Sequence, residues 1–227
     1  MTDRDIGSDR VQITKDGSHT LYCDMLGETY HSAFGAIQES RHIFIEAGLN
    51  KQLAGNMSKI NILEVGTGTG LNVLLTLIQL ENSDFSVNYD GFEPFPISNK
   101  EANVLNYPEL LNADVEKFNL IHSAVNKPVI LNENFVFKNY CKRIEDAELP
   151  DNYYNVIYFD AFSPDAQGEL WNTAVFRKLY KSMTSGGVLT TYSCKGMVKR
   201  ALIEVGFGIE KLPGPPGKRE FLRAVKP

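Results

Sequence analysis

The sequence has little cysteine and no pattern in what it has. Cys23, Cys141 and Cys194 are an odd number with no short spacing between them, which excludes a paired-disulfide framework and a CxxC metal site. The four histidines, His19, His31, His42 and His122, form no HExxH or similar ligand pair, so no metal is expected. No apolar run approaches the ~18 residues a bilayer span needs. The opening stretch MTDRDIGSDRVQITKDGS carries charges of both signs and lacks the apolar core of a signal peptide. A cytoplasmic location without membrane contact is the expectation.

Positive charge is also in short supply. With 23 Lys and Arg against 28 Asp and Glu the net charge is −5, which by itself disfavours a nucleic-acid partner. The distribution says more than the sum. Residues 195–227 hold eight Lys or Arg against three Glu, leaving residues 1–194 at −10. A basic C-terminal end on an acidic body can meet a polyanion locally, or can be a solvated surface.

An apolar share of 43% and a charged share of 22% belong to a globular protein, and 227 residues suffice for one substantial core. There is no internal repeat or low-complexity segment, and residues 1–10 read as polar and loose. VQITKDGSHTLYCDMLGETYHS alternates and turns like a small β-meander, with Asp16-Gly17 as a hairpin signal. AFGAIQESRHIFIEAGL places Phe34, Ile37, His42, Ile45 and Leu49 near one helical face, with Gly48 near its end. From Lys59 strands and helices alternate. KINILEVG, SVNYDGFEPF, FVFKNY, YYNVIYFDAF and GGVLTTYS read as strands. LNVLLTLIQLE, a stretch beginning near Ile97, ELWNTAVFRKLYKSM and KGMVKRALIEVG read as helices. The extended runs FGIEKLPG and KREFLRAVK close the chain around the turn PGPPG. This order predicts an α/β, Rossmann-like fold. It has a mostly parallel seven-stranded sheet, an antiparallel C-terminal hairpin and a small N-terminal β/α extension.

Three motifs carry chemistry. In ILEVGTGTGLN a strand runs through Gly66, Gly68 and Gly70 directly into a helix beginning near Asn72. Glycines let the chain turn sharply and a ligand approach the backbone without meeting a Cβ. A structural βα turn and an NAD site share that pattern. Two acids sharpen it: Glu64 precedes the glycines, and the second strand ends in Glu93, where a carboxylate accepts from both ribose hydroxyls of NAD or S-adenosylmethionine. NAD would lean on the helix N-terminus to hold its pyrophosphate. S-adenosylmethionine has no phosphate, and its sulfonium and ammonium favour carboxylates such as Glu64.

The second motif is IYFDAFSPDAQGELW. Its apolar strand ends in Asp160, at the carboxyl end of the sheet where ligands of this fold bind. A carboxylate there can orient or deprotonate an amine nucleophile, or simply close an Asx turn. Phe162, Ser163, Pro164 and Trp171 form an aromatic rim suited to a planar base, with Trp171 equally suited to the core. The third motif is LPGPPGKREFLRA, where a proline–glycine turn presents Lys218 and Arg219 for phosphate contact or for a salt bridge to Glu220. KGMVKRAL adds Lys195, Lys199 and Arg200, the last two on one exposed helix face.

Together and in this order the motifs resemble the methyltransferase half of the bifunctional tRNA 5-methylaminomethyl-2-thiouridine biosynthesis enzyme MnmC, and its single-domain relatives. The likeness spans nearly the whole chain. DGSHTLYCDMLGETYHSAFGAIQES is similar to the N-terminal segment of those single-domain members, and DAFSP…ELW and PGKRE are comparably specific. The fused FAD-dependent oxidase is absent from these 227 residues. The resemblance implies methyl transfer from S-adenosyl-L-methionine to the primary amine of 5-aminomethyl-2-thiouridine at the tRNA wobble position. It implies tRNA, at the anticodon region, as partner, with a separate oxidase or aminomethyl-forming complex upstream. Residues 1–58 would be the N-terminal β-meander and helix packed on the core, and 59–227 the methyltransferase domain, in a single compact unit.

Residue by residue, the resemblance places Glu64, Gly66, Gly68, Gly70 and Asn72 on the cofactor loop and Glu93 on the ribose. Asp160 faces the target amine, and Tyr30 and His31 line the methionine side. One departure stands out. Relatives often carry a GDAR-like run whose acid contacts the adenine amine, and this chain has NYCK, with Asn139 and Tyr140 where Gly-Asp would stand. Tyr140 or backbone amides are the candidates to replace it. The rivals are a small-molecule amine methyltransferase, an aminopropyltransferase using the decarboxylated cofactor, and a non-catalytic tRNA- or cofactor-binding module.

Overall fold

The computed structural model describes residues 10–55 and 57–227. The expectation of a loose N-terminus falls, Arg10 apart, outside those residues. Val11–Ile13 (β1), His19–Cys23 (β2) and Glu28–Thr29 (β3) form an antiparallel sheet in the order β1-β2-β3. Its first turn is the one Asp16-Gly17 signals. Gly17 has φ +83°, and the Asp16 carboxylate accepts from Thr14 Oγ1 at 2.8 Å and Ser18 N at 3.0 Å. Asp16 also accepts from Gln38 N at 2.9 Å, which fastens the hairpin to the helix that follows.

That helix runs over Ala36–Ser40, Arg41–Leu49 and Asn50–Leu53, and its middle stretch is π-helical rather than the α-helix the sequence suggests. Two buried triplets, Ile43–Phe44–Ile45 and Ala47–Gly48–Leu49, lie four residues apart. The wider turn of an i→i+5 helix brings both onto one side.

The main sheet contains Lys59–Val65 (β4), Ser86–Phe92 (β5), Pro128–Asn132 (β6), Phe135–Tyr140 (β7), Tyr154–Phe159 (β8), Met183–Thr191 (β9), Gly208–Pro213 (β10) and Glu220–Val225 (β11). Its order is β10-β11-β9-β8-β4-β5-β7-β6. β9, β8, β4, β5 and β7 are parallel; β11 is antiparallel to β9, and β10 pairs with β11 as the expected closing hairpin.

The sheet has eight strands where the sequence suggests seven. The extra one, β6, opens on Pro128, leaves Ile130 70% exposed and pairs only with β7, antiparallel and with an irregular register. An edge strand tolerates proline and needs only one apolar face, so its pattern is weak. The helical stretch after Ile97 resolves into three short helices, Asn99–Asn103, Tyr107–Leu111 and Val115–Ser123. Pro108 in the first turn of the second and left-handed Asn112 after it break what would otherwise be one helix.

Strand alternation divides the core in two. Ile60 and Ile62 of β4 and Val156 and Tyr158 of β8 pack with the helices 36–53, Leu71–Leu80 and Val115–Ser123. Leu63, Val65, Ile157 and Phe159 face the other way, onto Thr173–Ser182 and Gly196–Glu204. Both faces of the parallel strands are therefore covered, as a parallel sheet requires.

Candidate functional site

β4 and β8 are neighbours, yet the chain leaves β4 toward β5 and β7 on one side and crosses back to β8 on the other. Ligands of open α/β sheets bind at such a switch point, at the carboxyl ends of the strands. Both acidic motifs end there. Glu64 is paired with Tyr158 across the strands, and Asp160 N donates to Val65 O at 2.9 Å. Asn72, in the first turn of the helix Leu71–Leu80, joins the two acids: its Nδ2 donates to Glu64 Oε1 and Asp160 Oδ2, each at 2.8 Å.

The glycine turn is closely fitted. Gly66, Gly68 and Gly70 all have positive φ, at +86°, +48° and +73°. A Cβ on Gly66 would stand 2.6 Å from the Asp160 carbonyl oxygen, and one on Gly68 would stand 2.8 Å from the Tyr30 ring. Gly66→Ala is therefore expected to destabilise by more than the about 1–2 kcal/mol that left-handed backbone costs alone, because its obstacle is main chain. A urea midpoint that does not fall would refute this.

Two cavities meet at Asp160. The first, about 350 Å³, is lined by Gly66, Gly68, Glu93, Tyr30, Asp160 and Phe162. The second, about 460 Å³, shares Tyr30, Asp160 and Phe162 and adds His31, Glu39, Tyr192 and Lys218. Between them Tyr30 and Phe162 pack edge to face, ring centres 4.9 Å apart. Trp171 lies in the core, 1% exposed, and its Nε1 donates to Phe162 O at 2.8 Å, which holds the loop after β8 in place. Ser163 lines the second cavity, but both of its donors are engaged within the protein. Its N and Oγ donate to Glu28 at 3.1 and 2.5 Å, tying that loop to β3.

The acids differ in their state. Burial raises Glu64 to about 8, with the nearby Asp160 carboxylate adding to it against the opposing hydrogen bond from Asn72. Its Oε2 accepts from Tyr89 Oη at 2.8 Å, and Glu64 is fully enclosed. Burial and then the Glu39 carboxylate raise Asp160 to about 7, opposed by Asn72 and Lys218. Glu93 is also raised by burial, although its carboxylate accepts from Phe95 N at 3.0 Å and Gly68 N at 3.1 Å.

The structure brings together part of the residue set singled out by sequence. Gly66, Gly68, Glu93, Tyr30, Asp160 and Phe162 share the first cavity. Glu64 and Asn72 lie behind its wall. Gly70 caps the helix against Ile121 and His122. His31 belongs to the second cavity, where its Nε2 meets Thr69 Oγ1 at 2.6 Å. Burial lowers it to about 4, so it is neutral at physiological pH.

Tyr140 is not on the cavity wall. It stacks on Phe92 at 4.8 Å, and Arg143, Ile144 and Glu145 beyond it line the cleft instead. The aromatic partner beneath it on β5 draws the ring onto the sheet. Lys218 and Arg219 part company as well: Arg219 is exposed, while Lys218 turns into the second cavity and pairs with Glu39. Glu220 takes Lys211 at 2.6 Å, not either neighbour. Lys195 pairs with Asp165. Lys199 is half-buried and Arg200 exposed on the helix Gly196–Glu204, and neither lines these two cavities. Sequence reasoning missed Glu39 and Tyr192. Glu39 sits inside GAIQES, but one acid on a helix gives no sign of the cavity it enters.

No helix among the described residues is long and apolar enough to cross a membrane. Among the same residues no group of three or more His, Cys, Asp or Glu is placed to hold a metal ion.

A doubly wound sheet, a glycine turn at its switch point and an acid after the second strand define a Rossmann-like nucleoside-cofactor enzyme. The chain belongs to the S-adenosyl-L-methionine-dependent methyltransferase family whose profile matches residues 109–227. It is similar to the tRNA 5-methylaminomethyl-2-thiouridine biosynthesis bifunctional protein MnmC of Pseudoalteromonas atlantica, 26% identical over 95% of this chain and 33% of that protein. The protein of the same name from Burkholderia mallei is 29% identical over 98% of this chain and 36% of its own length. The chain thus spans about a third of the length of these curated relatives. Among solved structures, MnmC2 from Aquifex aeolicus superposes with a TM-score of 0.78 at 26% identity, covering 97% of this chain and 71% of that one.

The cofactor fits the first cavity on this structure's own terms. Its volume lies in the usual range for small-molecule sites. Glu93 presents a carboxylate at the end of β5, where ribose hydroxyls donate in this fold. Side-chain-free backbone at Gly66 and Gly68 forms the floor. Glu93 and Asp160 put acidic groups on the cavity wall, which suits a cationic ligand, whereas Glu64, enclosed and raised to about 8, does not reach it.

Proposed function

We propose that this protein methylates the primary amine of 5-aminomethyl-(2-thio)uridine at the wobble position of tRNA. The observation that carries the reading is the place of Asp160, on the wall shared by the cofactor cavity and a second, acid-lined cavity. The names of the similar proteins supply the nucleoside. S-adenosyl-L-methionine, when bound, supplies a methyl group on a cationic sulfur.

The residues divide the remaining work. Glu93 holds ribose hydroxyls, and Gly66 and Gly68 line the cavity, where their lack of a side chain lets Asp160 and Tyr30 close in beside the ligand. Glu64 and Asn72 act from behind the wall, with Asn72 orienting the Asp160 carboxylate. A free alkylamine is mostly protonated at neutral pH, and a nucleophile needs its lone pair. Asp160 orients the amine and accepts its proton, at a value near the working pH that suits a general base. Tyr30 and Phe162 are the aromatic edges against which a base turned out of the anticodon stack can rest. Lys195, Lys199, Arg200 and Arg219 are the cations for the tRNA backbone, outside the cavities. As a cytoplasmic enzyme it would draw its aminomethyl precursor from a separate oxidase or aminomethyl-forming complex.

The test is mass spectrometry of wobble uridines from cells lacking the protein. Accumulation of the aminomethyl nucleoside, reversed by the wild-type gene, is expected. An unchanged nucleoside profile would sink the assignment. A small-molecule amine methyltransferase predicts no salt-dependent affinity for tRNA, because a small substrate releases no counterions.

A further inference from the structure

The second cavity already contains an ammonium group of the protein's own. Lys218 Nζ lies 2.5 Å from Glu39 Oε1 and 4.2 Å from the centre of the Tyr192 ring. A carboxylate on one side and an aromatic face on the other is the chemistry that holds a primary alkylammonium. The pieces of this seat are fixed. Glu39 is 8% exposed, and its Oε2 accepts from Ser32 N at 3.1 Å. Tyr192 Oη donates to Ala161 O at 2.8 Å, next to Asp160 in the chain. The turn carrying Lys218 rests on Phe34, against which a Gly217 Cβ would collide at 2.3 Å.

Lys218 itself is the movable piece. Its side chain is 26% exposed and sits on a flexible four-carbon stem that can carry the charge out to water. Glu39 and Tyr192 cannot follow it. We propose that the Glu39–Tyr192 seat is the recognition site for the substrate's ammonium, and that Lys218 occupies it until substrate arrives. The binding step is then an exchange of one primary ammonium for another. The substrate's charge is received by Glu39 before Asp160 takes the proton. Lys218 is thus a competitor for the seat rather than the phosphate contact its KRE setting suggests.

The inference rests on the amine-methylation reading, and kinetics of the purified full chain on tRNA carrying 5-aminomethyluridine separates the two. Glu39→Gln should raise KM for this tRNA about 10–100-fold with much less effect on kcat, the loss of one charge-assisted hydrogen bond. Lys218→Met, which removes the competitor, should lower KM by about 2–5-fold. Cofactor affinity measured by calorimetry should be unchanged in both, since neither residue lines the first cavity. Glu39→Asp keeps the charge and should raise KM less than Glu39→Gln, and it stands in if the glutamine variant fails to fold. An unchanged KM in the Glu39 variants, or a raised KM in Lys218→Met, would overturn the exchange while leaving amine methylation intact. No methylation by the wild-type protein would overturn the parent reading instead.

Discussion

Asp160→Ala is expected to bind S-adenosyl-L-methionine like the wild type and to lose about 10²–10⁴-fold in kcat, the usual contribution of a positioned general base. Binding survives because Glu93, proposed to hold the ribose, and the cavity walls formed by the glycine turn, Tyr30 and Phe162 are untouched. Turnover fails because Asp160 is the titratable group with a value near 7 that lies on the wall of both cavities. Near wild-type rates from this variant would remove Asp160 from the mechanism.

The pH dependence follows from the same group. Burial and Glu39 raise Asp160 to about 7, so below that it carries a proton and cannot accept another. The wild-type kcat/KM should therefore climb as pH passes upward through about 7. Asp160→Asn should lack that step.

Stability should move in the opposite direction to activity. A carboxyl whose folded value is raised contributes stability at low pH that is lost as pH rises, here between its ordinary 3.8 and about 7. Asp160→Asn escapes that loss, so its Tm relative to wild type should be more favourable at pH ~8 than at pH ~5. Thermal unfolding at the two values checks it, and a difference of the other sign would mean that Asp160 is not a strained carboxylate.

Glu93→Ala should weaken S-adenosyl-L-methionine binding by about 100-fold or more. Two ribose hydroxyls donating to a charged acceptor contribute about 1.5–3 kcal/mol each, and each 1.4 kcal/mol is tenfold in Kd. The carboxylate also accepts from Gly68 N and Phe95 N, so its removal loosens the turn that floors the cavity. Glu93→Gln keeps one acceptor oxygen and the shape, and should lose less. Calorimetry with the cofactor decides the point, and a Kd close to wild type in Glu93→Ala would place the ribose elsewhere.

The parts of the fold that were legible in the sequence are those whose signal is local. Leu71–Leu80 and the parallel strands are dense apolar runs punctuated by glycine, and Asp16-Gly17 announces its own turn. β6 was missed because an edge strand needs only half a pattern, and the π-helical stretch because residue types do not distinguish i→i+4 from i→i+5 bonding. Tyr140 was given to the cofactor on position alone, and the ring beneath it, Phe92, is a β5 neighbour that only strand pairing reveals.

The site divides in the same way. Glu64, the glycines and Glu93 fall at motif spacings, because a ligand-holding βα turn must be made by consecutive residues. Asp160 stood out because a strand ending in an acid places that acid at the sheet's ligand edge. The sequence by itself determined the class of enzyme and the acids at its switch point. Only the tertiary structure decided which distant residues join them. Glu39 on the N-terminal helix, Tyr192 after β9 and Lys218 on the closing hairpin share one cavity with Asp160. The physical reason is that a cavity is formed between elements that pack together, and no spacing along the chain records which side chains will face the same space.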